Sequence, residues 1–149
     1  MAIQAKRVDE WARESPAPVF DHRRFGAVRG SFHRDSEGLV WECLDLVRTA
    51  GGLADLEFEA GAFGPGLIHE QQLDAVIANL GALTRAAARA ISEELGRCSK
   101  HPLALEWQGA RLSGREGAFQ LHYWSEIEPE ALITVRFEQS RAIGVRFHD

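Results

Sequence analysis

The sequence predicts one α+β domain over residues 1–149, with an antiparallel sheet, one long helix on one sheet face and a short N-terminal helix. The sheet is expected to have about six or seven strands. Two blocks of alternating apolar and polar residues, typical of strands, flank a single stretch of helical periodicity. The length of 149 residues suits one hydrophobic core. Apolar residues at 45% and charged residues at 26% match ordinary globular usage.

The elements before the long helix follow from short local patterns. Val8, Trp11 and Ala12 share one helical face, and the prolines that follow end this predicted N-terminal helix, residues 3–14. Alternating apolar residues and turn signals then predict three strands, over residues 25–32, 39–47 and 54–60. A turn at residues 35–38 joins the first two of these strands as a hairpin.

The long helix is predicted over residues 68–95, where apolar side chains recur at three- and four-residue spacing. At 1.5 Å per residue it would be roughly 40 Å long. Gly96 is a natural stop after it. Gly81 lies in its middle and marks either a kink or a close approach to a strand.

Four further strands are predicted after the helix, over residues 103–108, 119–124, 133–138 and 143–147. If the odd-numbered apolar residues of the last three strands face the helix, they belong to the core. This orientation also fixes the register of the three strands. These residues are Phe119, Leu121, Tyr123, Ile133, Val135, Phe137, Ile143, Val145 and Phe147. This register requires an odd-length loop between Phe137 and Ile143, which excludes a two-residue turn at residues 139–140.

The even-numbered face of the same strands is the predicted binding surface, with Trp124 as its anchor. Tryptophan and arginine are the residues most enriched in binding hot spots. The candidate residues on this face are His122, Trp124, Arg136, Arg146 and His148, beside Gln120 and Thr134. Glu126 and Glu128 form a second candidate, an acidic loop after the strand that ends at Trp124. Two alternatives stay open: the N-terminal segment covers this face, and the acidic loop is only solvated.

No catalytic residue, cofactor site or metal site is predicted. The glycine-rich loop over residues 61–66 lacks the lysine of a phosphate-binding loop. His69 and Glu70 begin like a zinc-protease helix, but Leu73 stands where the second histidine is needed. Cys98 follows a predicted helix C-terminus, whose partial negative charge disfavours a thiolate.

Composition also limits the partners and the compartment. A net charge of −5 argues against a nucleic-acid partner, because such proteins usually present a basic surface. The absence of a long apolar run and of a signal-peptide pattern predicts a cytoplasmic protein with no membrane partner. Cys43 and Cys98 are expected to be unpaired thiols. Arginine outnumbers lysine fifteen to two, which suggests a GC-rich bacterial genome.

Two stretches resemble small bacterial α+β domains without a known activity, some of which occur among immunity proteins that neutralise toxins. They read LEFEAGAFGPGLIHEQQLDAVIANLGALTRAAARAISEEL and LITVRFEQSRAIGVRFHD. The resemblance spans about residues 53–149 and rests on element order and hydrophobic pattern. It implies a non-enzymatic role in binding a partner and assigns no functional residue.

The sequence therefore favours a non-enzymatic interaction module that binds a protein partner or a small ligand, with an immunity-type protein as one form of it. One alternative is a small hydrolase-like enzyme with a dispersed active site, and another is a structural homo-oligomer such as a homodimer. A deep pocket with converging titratable groups would favour the enzyme. A large self-complementary apolar face would favour the oligomer.

Metal is expected to make no contribution to folding, because the sequence has no ligand set with structural-zinc spacing. Thermal unfolding with and without excess chelator should give the same midpoint. A fall of several degrees on chelation would contradict this expectation.

Overall fold

The computed structural model describes residues 19–32, 39–96 and 103–148. Within them, nine strands form one mixed sheet and two helices accompany it. The predicted sheet of six or seven antiparallel strands with a single long helix is therefore wrong. The predicted N-terminal helix and the turn at residues 35–38 lie outside the described residues.

The strand order is β1-β2-β3-β5-β6-β7-β8-β9, with β4 off this path and paired to β5. The strands are β1 (Val19–His22), β2 (Gly26–Phe32), β3 (Leu39–Cys43), β4 (Val47–Thr49), β5 (Gly52–Ala60), β6 (Glu106–Arg115), β7 (Ala118–Trp124), β8 (Leu132–Glu138) and β9 (Arg141–His148). The helices are α1 (Leu67–Ala78) and α2 (Leu80–Glu94).

The first half of the chain holds two more strands than predicted. Strand β1 has only four residues, too few for a period to show. The strand predicted over residues 39–47 is two strands, because the chain leaves the sheet after Cys43, with Leu44 and Leu46 exposed. It then returns as β4. The C-terminal part of β5 pairs with β3, and its N-terminal part pairs with β4.

The predicted long helix is broken at Asn79 rather than kinked at Gly81. Asn79 has φ −112° and ψ 12°, which lies outside the helical region. Its side-chain Nδ2 donates to the carbonyl of Ala75 at 2.8 Å. Asparagine is a poor helix former because its side chain competes for nearby backbone groups. This local hydrogen bond accompanies the end of α1, and α2 begins at the next residue, Leu80.

Strands β5 and β6 pair in parallel, whereas all other pairs are antiparallel. A parallel pair needs a crossover connection, and α1 and α2 lie within that connection. Asp55 lies opposite Gly109 in this pair. A Cβ atom on Gly109 would lie 1.9 Å from the carbonyl oxygen of Asp55, so only glycine fits there.

The core lies between the helices and one sheet face. Trp41, Phe58 and Tyr123 are among its largest fully buried side chains. The Nε1 of Trp41 donates to the carbonyl of Gly61 at 2.9 Å, and the Tyr123 and Thr84 hydroxyls lie 3.0 Å apart. Burial of the predicted inward residues is confirmed for Phe119, Leu121, Tyr123, Ile133, Val135 and Phe137. Val145 and Phe147 are partly buried against the same core.

The turn between β8 and β9 contradicts the predicted odd-length loop. Glu138 pairs with Arg141 across a two-residue turn, in which Gln139 has a positive φ of 58°. A register shift after Phe137 then leaves Ile143 as an extra, 39% exposed residue. This β-bulge restores the predicted alignment, so Val135 pairs with Val145. The core face is kept by the bulge and not by the loop length.

Neither helix of the described segments is long and apolar enough to cross a lipid bilayer. Cys43 is buried in the core at the end of β3, and burial raises the pKa of its thiol to about 12. The thiol of Cys43 is therefore protonated and unreactive at neutral pH. Cys98 lies outside the described residues.

Replacement of Gly109 by alanine should destabilise the protein by about 3 kcal/mol or more, because the added methyl group meets the Asp55 backbone. Chemical denaturation measures the change. Gly61→Ala is the matched control, since a Cβ atom at Gly61 would meet nothing within 4 Å. Equal stability of the two variants would contradict the close approach of β5 and β6.

Candidate functional site

The sheet face opposite the helices carries an open groove across β5, β6, β7, β8 and β9. Two adjoining cavities of about 590 and 370 Å³ share Arg111, Gln120 and Arg136. We call the larger one the outer-face groove. Its polar lining residues are Glu57, Arg111, Gln120, His122, Thr134, Arg136, Arg146 and His148.

Strand register places seven of these eight side chains in two rows, whereas His148 pairs with Leu132. Glu57 pairs with Arg111, which pairs with Gln120, which pairs with Arg136. In the neighbouring row, His122 pairs with Thr134, and Thr134 pairs with Arg146. Directly paired residues point to the same sheet face, so each row forms a continuous strip of polar side chains.

Two imidazoles share one hydroxyl group on the groove floor. The Nδ1 of His122 lies 2.9 Å from the Oγ1 of Thr134, and the Nε2 of His148 lies 3.1 Å from the same oxygen. Thr134 is only 7% exposed. A hydroxyl group has one hydrogen to donate and two lone pairs that accept, so at most one ring accepts from Thr134 and at least one ring donates to it. The ring nitrogen that carries the hydrogen in one imidazole therefore restricts the choice in the other.

Positive charge dominates the groove although the chain is acidic. The lining contains one carboxylate, that of Glu57, and three arginines, Arg111, Arg136 and Arg146. Arg111 also lies 3.9 Å from Glu59, in a long ion pair. Within the described residues, Arg136 and Arg146 form no ion pair. Among the described residues, neither charge is therefore neutralised by a carboxylate in an ion pair.

Two buried nitrogen atoms of the groove have no hydrogen-bond partner in the described residues, the Nε of Arg111 and the Nε2 of His122. An unsatisfied buried polar atom costs about 1–3 kcal/mol. Burial, with His148 and Arg111 nearby, lowers the pKa of His122 to about 4. The His122 ring is therefore neutral at pH 7. Buried polar atoms without partners are rare in stable sheets, so these two nitrogen atoms indicate a functional surface.

The structure brings four of the predicted binding residues together in the groove: His122, Arg136, Arg146 and His148. Trp124 lies outside the groove lining and is half-buried at the end of β7, where its Nε1 donates to the carbonyl of Pro129 at 3.1 Å. Glu126 and Glu128 follow β7 in a turn and also lie outside the groove.

Sequence reasoning missed Glu57 and Arg111 as groove residues. The alternation of β5 does predict that Glu57 faces outward, but no local signal shows that β6 lies beside β5. Arg111 falls beyond residue 108, where the strand was predicted to end, whereas β6 runs to Arg115. The apolar neighbours Ala110 and Leu112, both buried, were the signal for this extension.

His69 and Glu70 contact other parts of the protein chain. His69 accepts from the Gly66 N–H through Nδ1 at 3.0 Å, and its Nε2 donates to the Glu59 carbonyl at 2.8 Å. Glu70 lies 3.5 Å from Arg23, which joins helix α1 to the β1–β2 turn. The described segments contain no cluster of three or more potential metal-ligating side chains.

Comparison with protein-family models, curated proteins and solved structures finds no match for this chain.

The low pKa of His122 should make stability depend on pH. Between about pH 6.5 and pH 4 the unfolded chain binds a proton at this ring that the folded protein does not. The free energy of unfolding should therefore fall as pH is lowered from 7 to 5, by about 1–2 kcal/mol from this residue. Denaturant titrations at several pH values give the free energy of unfolding of the wild type and of His122→Gln. The difference between their slopes against pH is the contribution of His122. Identical slopes for the two proteins would contradict the buried, neutral His122.

Proposed function

We propose that this protein is a non-enzymatic interaction module that binds an acidic segment of a protein partner in the outer-face groove. The observation that carries the proposal is charge complementarity. Arg136 and Arg146 project into the groove without an ion pair among the described residues, and Arg111 lies between them and Glu57. Surfaces of opposite charge accelerate association and select partners.

The size of the groove suits an extended protein segment. The groove crosses five neighbouring strands, and strands lie about 4.8 Å apart, so it is roughly 20 Å wide. An extended chain of about six residues covers this distance. Glutamate and aspartate side chains of such a segment would meet the arginines of adjacent strands.

The rest of the chain favours a protein partner over a nucleic acid. A net charge of −5 repels a phosphate backbone outside the groove, whereas a short acidic segment needs only the local positive charge. An immunity-type role, in which the acidic segment belongs to a toxin, is the form of this function that the sequence resemblance implies. We place this binding in the cytoplasm. A homodimer through this face is disfavoured, because two basic grooves would repel each other.

A small hydrolase is the second candidate, favoured by the pair of imidazoles that share the Thr134 hydroxyl beside arginines. Neutral His122 could accept a proton, and arginines stabilise developing negative charge. The Nε2 of His122 is, however, buried from solvent in the described structure, so it does not meet a substrate without movement of the groove. The binding function needs only the exposed charges.

The proposal can be tested with poly-L-glutamate as the acidic probe and poly-L-lysine as the opposite probe. We expect poly-L-glutamate to perturb backbone amide NMR signals of β6, β7, β8 and β9, with weaker binding at high salt. The double variant Arg136→Glu, Arg146→Glu should bind at least about tenfold more weakly, a difference of 1.4 kcal/mol.

The double variant Arg48→Glu, Arg89→Glu is the matched control. Both of these arginines are exposed and lie outside the groove, and the net charge changes by the same amount. The control should keep wild-type affinity. The proposal fails if the wild type does not bind poly-L-glutamate at low salt, or if the two double variants lose affinity equally.

A further inference from the structure

The two buried nitrogen atoms without partners lie close together on the groove floor. Gly109 pairs with His122, and Arg111 is two residues further along β6, on the same sheet face. Arg111 and His122 are therefore diagonal neighbours, a separation that long side chains span. The Nε of Arg111 is always a donor, because its guanidinium group keeps its proton. A ligand atom that satisfies it has to be a hydrogen-bond acceptor.

The shared Thr134 hydroxyl decides whether the Nε2 of His122 is a second donor. When Thr134 donates to the Nδ1 of His122, the ring carries its hydrogen on Nε2, and His148 donates to the Thr134 oxygen. In the opposite arrangement Nε2 is an acceptor. An anionic acceptor selects the first arrangement, and a protonated His122 donates in both directions.

Strands β5, β6, β8 and β9 each place charged or titratable side chains around His122. Strand β5 contributes Glu57, β6 contributes Arg111, β8 contributes Arg136, and β9 contributes Arg146 and His148. Three arginines against one carboxylate favour an anion and disfavour a metal cation. A ligand reaches the two buried atoms only when side chains of the groove move, and the exposed Arg136 and Arg146 have long, flexible side chains.

We infer that the groove floor is an oxyanion subsite, in which the Nε of Arg111 and the Nε2 of His122 donate to one carboxylate or phosphate group. Arg136 and Arg146 neutralise the charge of the bound group, and Thr134 is the positioning residue that holds His122 in the donating form. This inference rests on the proposed function, since it names the group that a partner would insert. The acidic side chain of a protein segment and free inorganic phosphate share this chemistry.

Binding of an oxyanion at this subsite is coupled to protonation of His122. A negative charge beside the ring favours its protonated form, so the bound state has a higher His122 pKa than the free state, where it is about 4. By linkage, affinity should rise as pH falls from 7 toward 5.

The test follows the ring signals of His122 by NMR during titration with inorganic phosphate, with acetate, and with sodium chloride at matched ionic strength. We expect phosphate or acetate to raise the His122 pKa by at least about one unit, whereas chloride leaves it unchanged. An effect of phosphate alone identifies a phosphate ligand, and an effect of acetate identifies a carboxylate side chain. The subsite is rejected if the His122 pKa responds to neither oxyanion.

Three variants separate the subsite from general charge effects. Arg146→Gln changes an exposed side chain and should weaken oxyanion binding at least about tenfold, whereas Arg48→Gln, outside the groove, should bind as the wild type does. Thr134→Val should remove the rise in affinity at low pH more than it lowers affinity at pH 7. Equal affinity of Arg146→Gln and Arg48→Gln would overturn the inference.

The two proposals fail separately. If poly-L-glutamate binds the groove but neither phosphate nor acetate affects His122, the subsite is wrong and the interaction module stands. If the polymer and both small anions all fail to bind, both proposals are wrong.

Discussion

The parallel pairing of β5 with β6 is the contact on which the rest of the structure depends. It joins the five N-terminal strands to the four C-terminal strands in one sheet. Gly109 allows the two backbones to approach, since a Cβ atom there would meet the carbonyl oxygen of Asp55. The groove lies across this junction, because Glu57 belongs to β5 and Arg111 to β6.

The two faces of this sheet differ in the polarity of their side chains. The helix-covered face buries apolar side chains; the Tyr123 hydroxyl there has a partner, whereas the buried Nε1 of Trp107 has none among the described residues. On the other face, Arg111 and His122 keep buried nitrogen atoms without protein partners. Such atoms lower the free energy of unfolding. The burial of large apolar side chains such as Trp41 and Phe58 compensates for this loss. Loss of stability at one place is commonly a sign of function there.

The β-bulge at Ile143 connects the core to the groove. The two-residue turn by itself would set Arg136 opposite Ile143 and turn the faces of β9 over. The extra residue instead pairs Arg136 with Gly144 and Thr134 with Arg146. Phe147 thus stays against the core while Arg146 and His148 reach the groove. A single irregular residue therefore maintains both surfaces.

The sequence by itself determined which residues of β7 and β8 lie on each sheet face, because alternation is a local property of the chain. His122 and Arg136 were identified as outward-facing from this pattern alone. The helix break at Asn79, the division of β3 from β4 and the place of β6 beside β5 were decided by tertiary structure. Strand partners distant along the chain are selected by the crossover path and by close backbone approach, as at Gly109, and no local period encodes either. For the same reason only the folded protein brought Glu57 and Arg111 to His122, and placed Trp124 outside the groove.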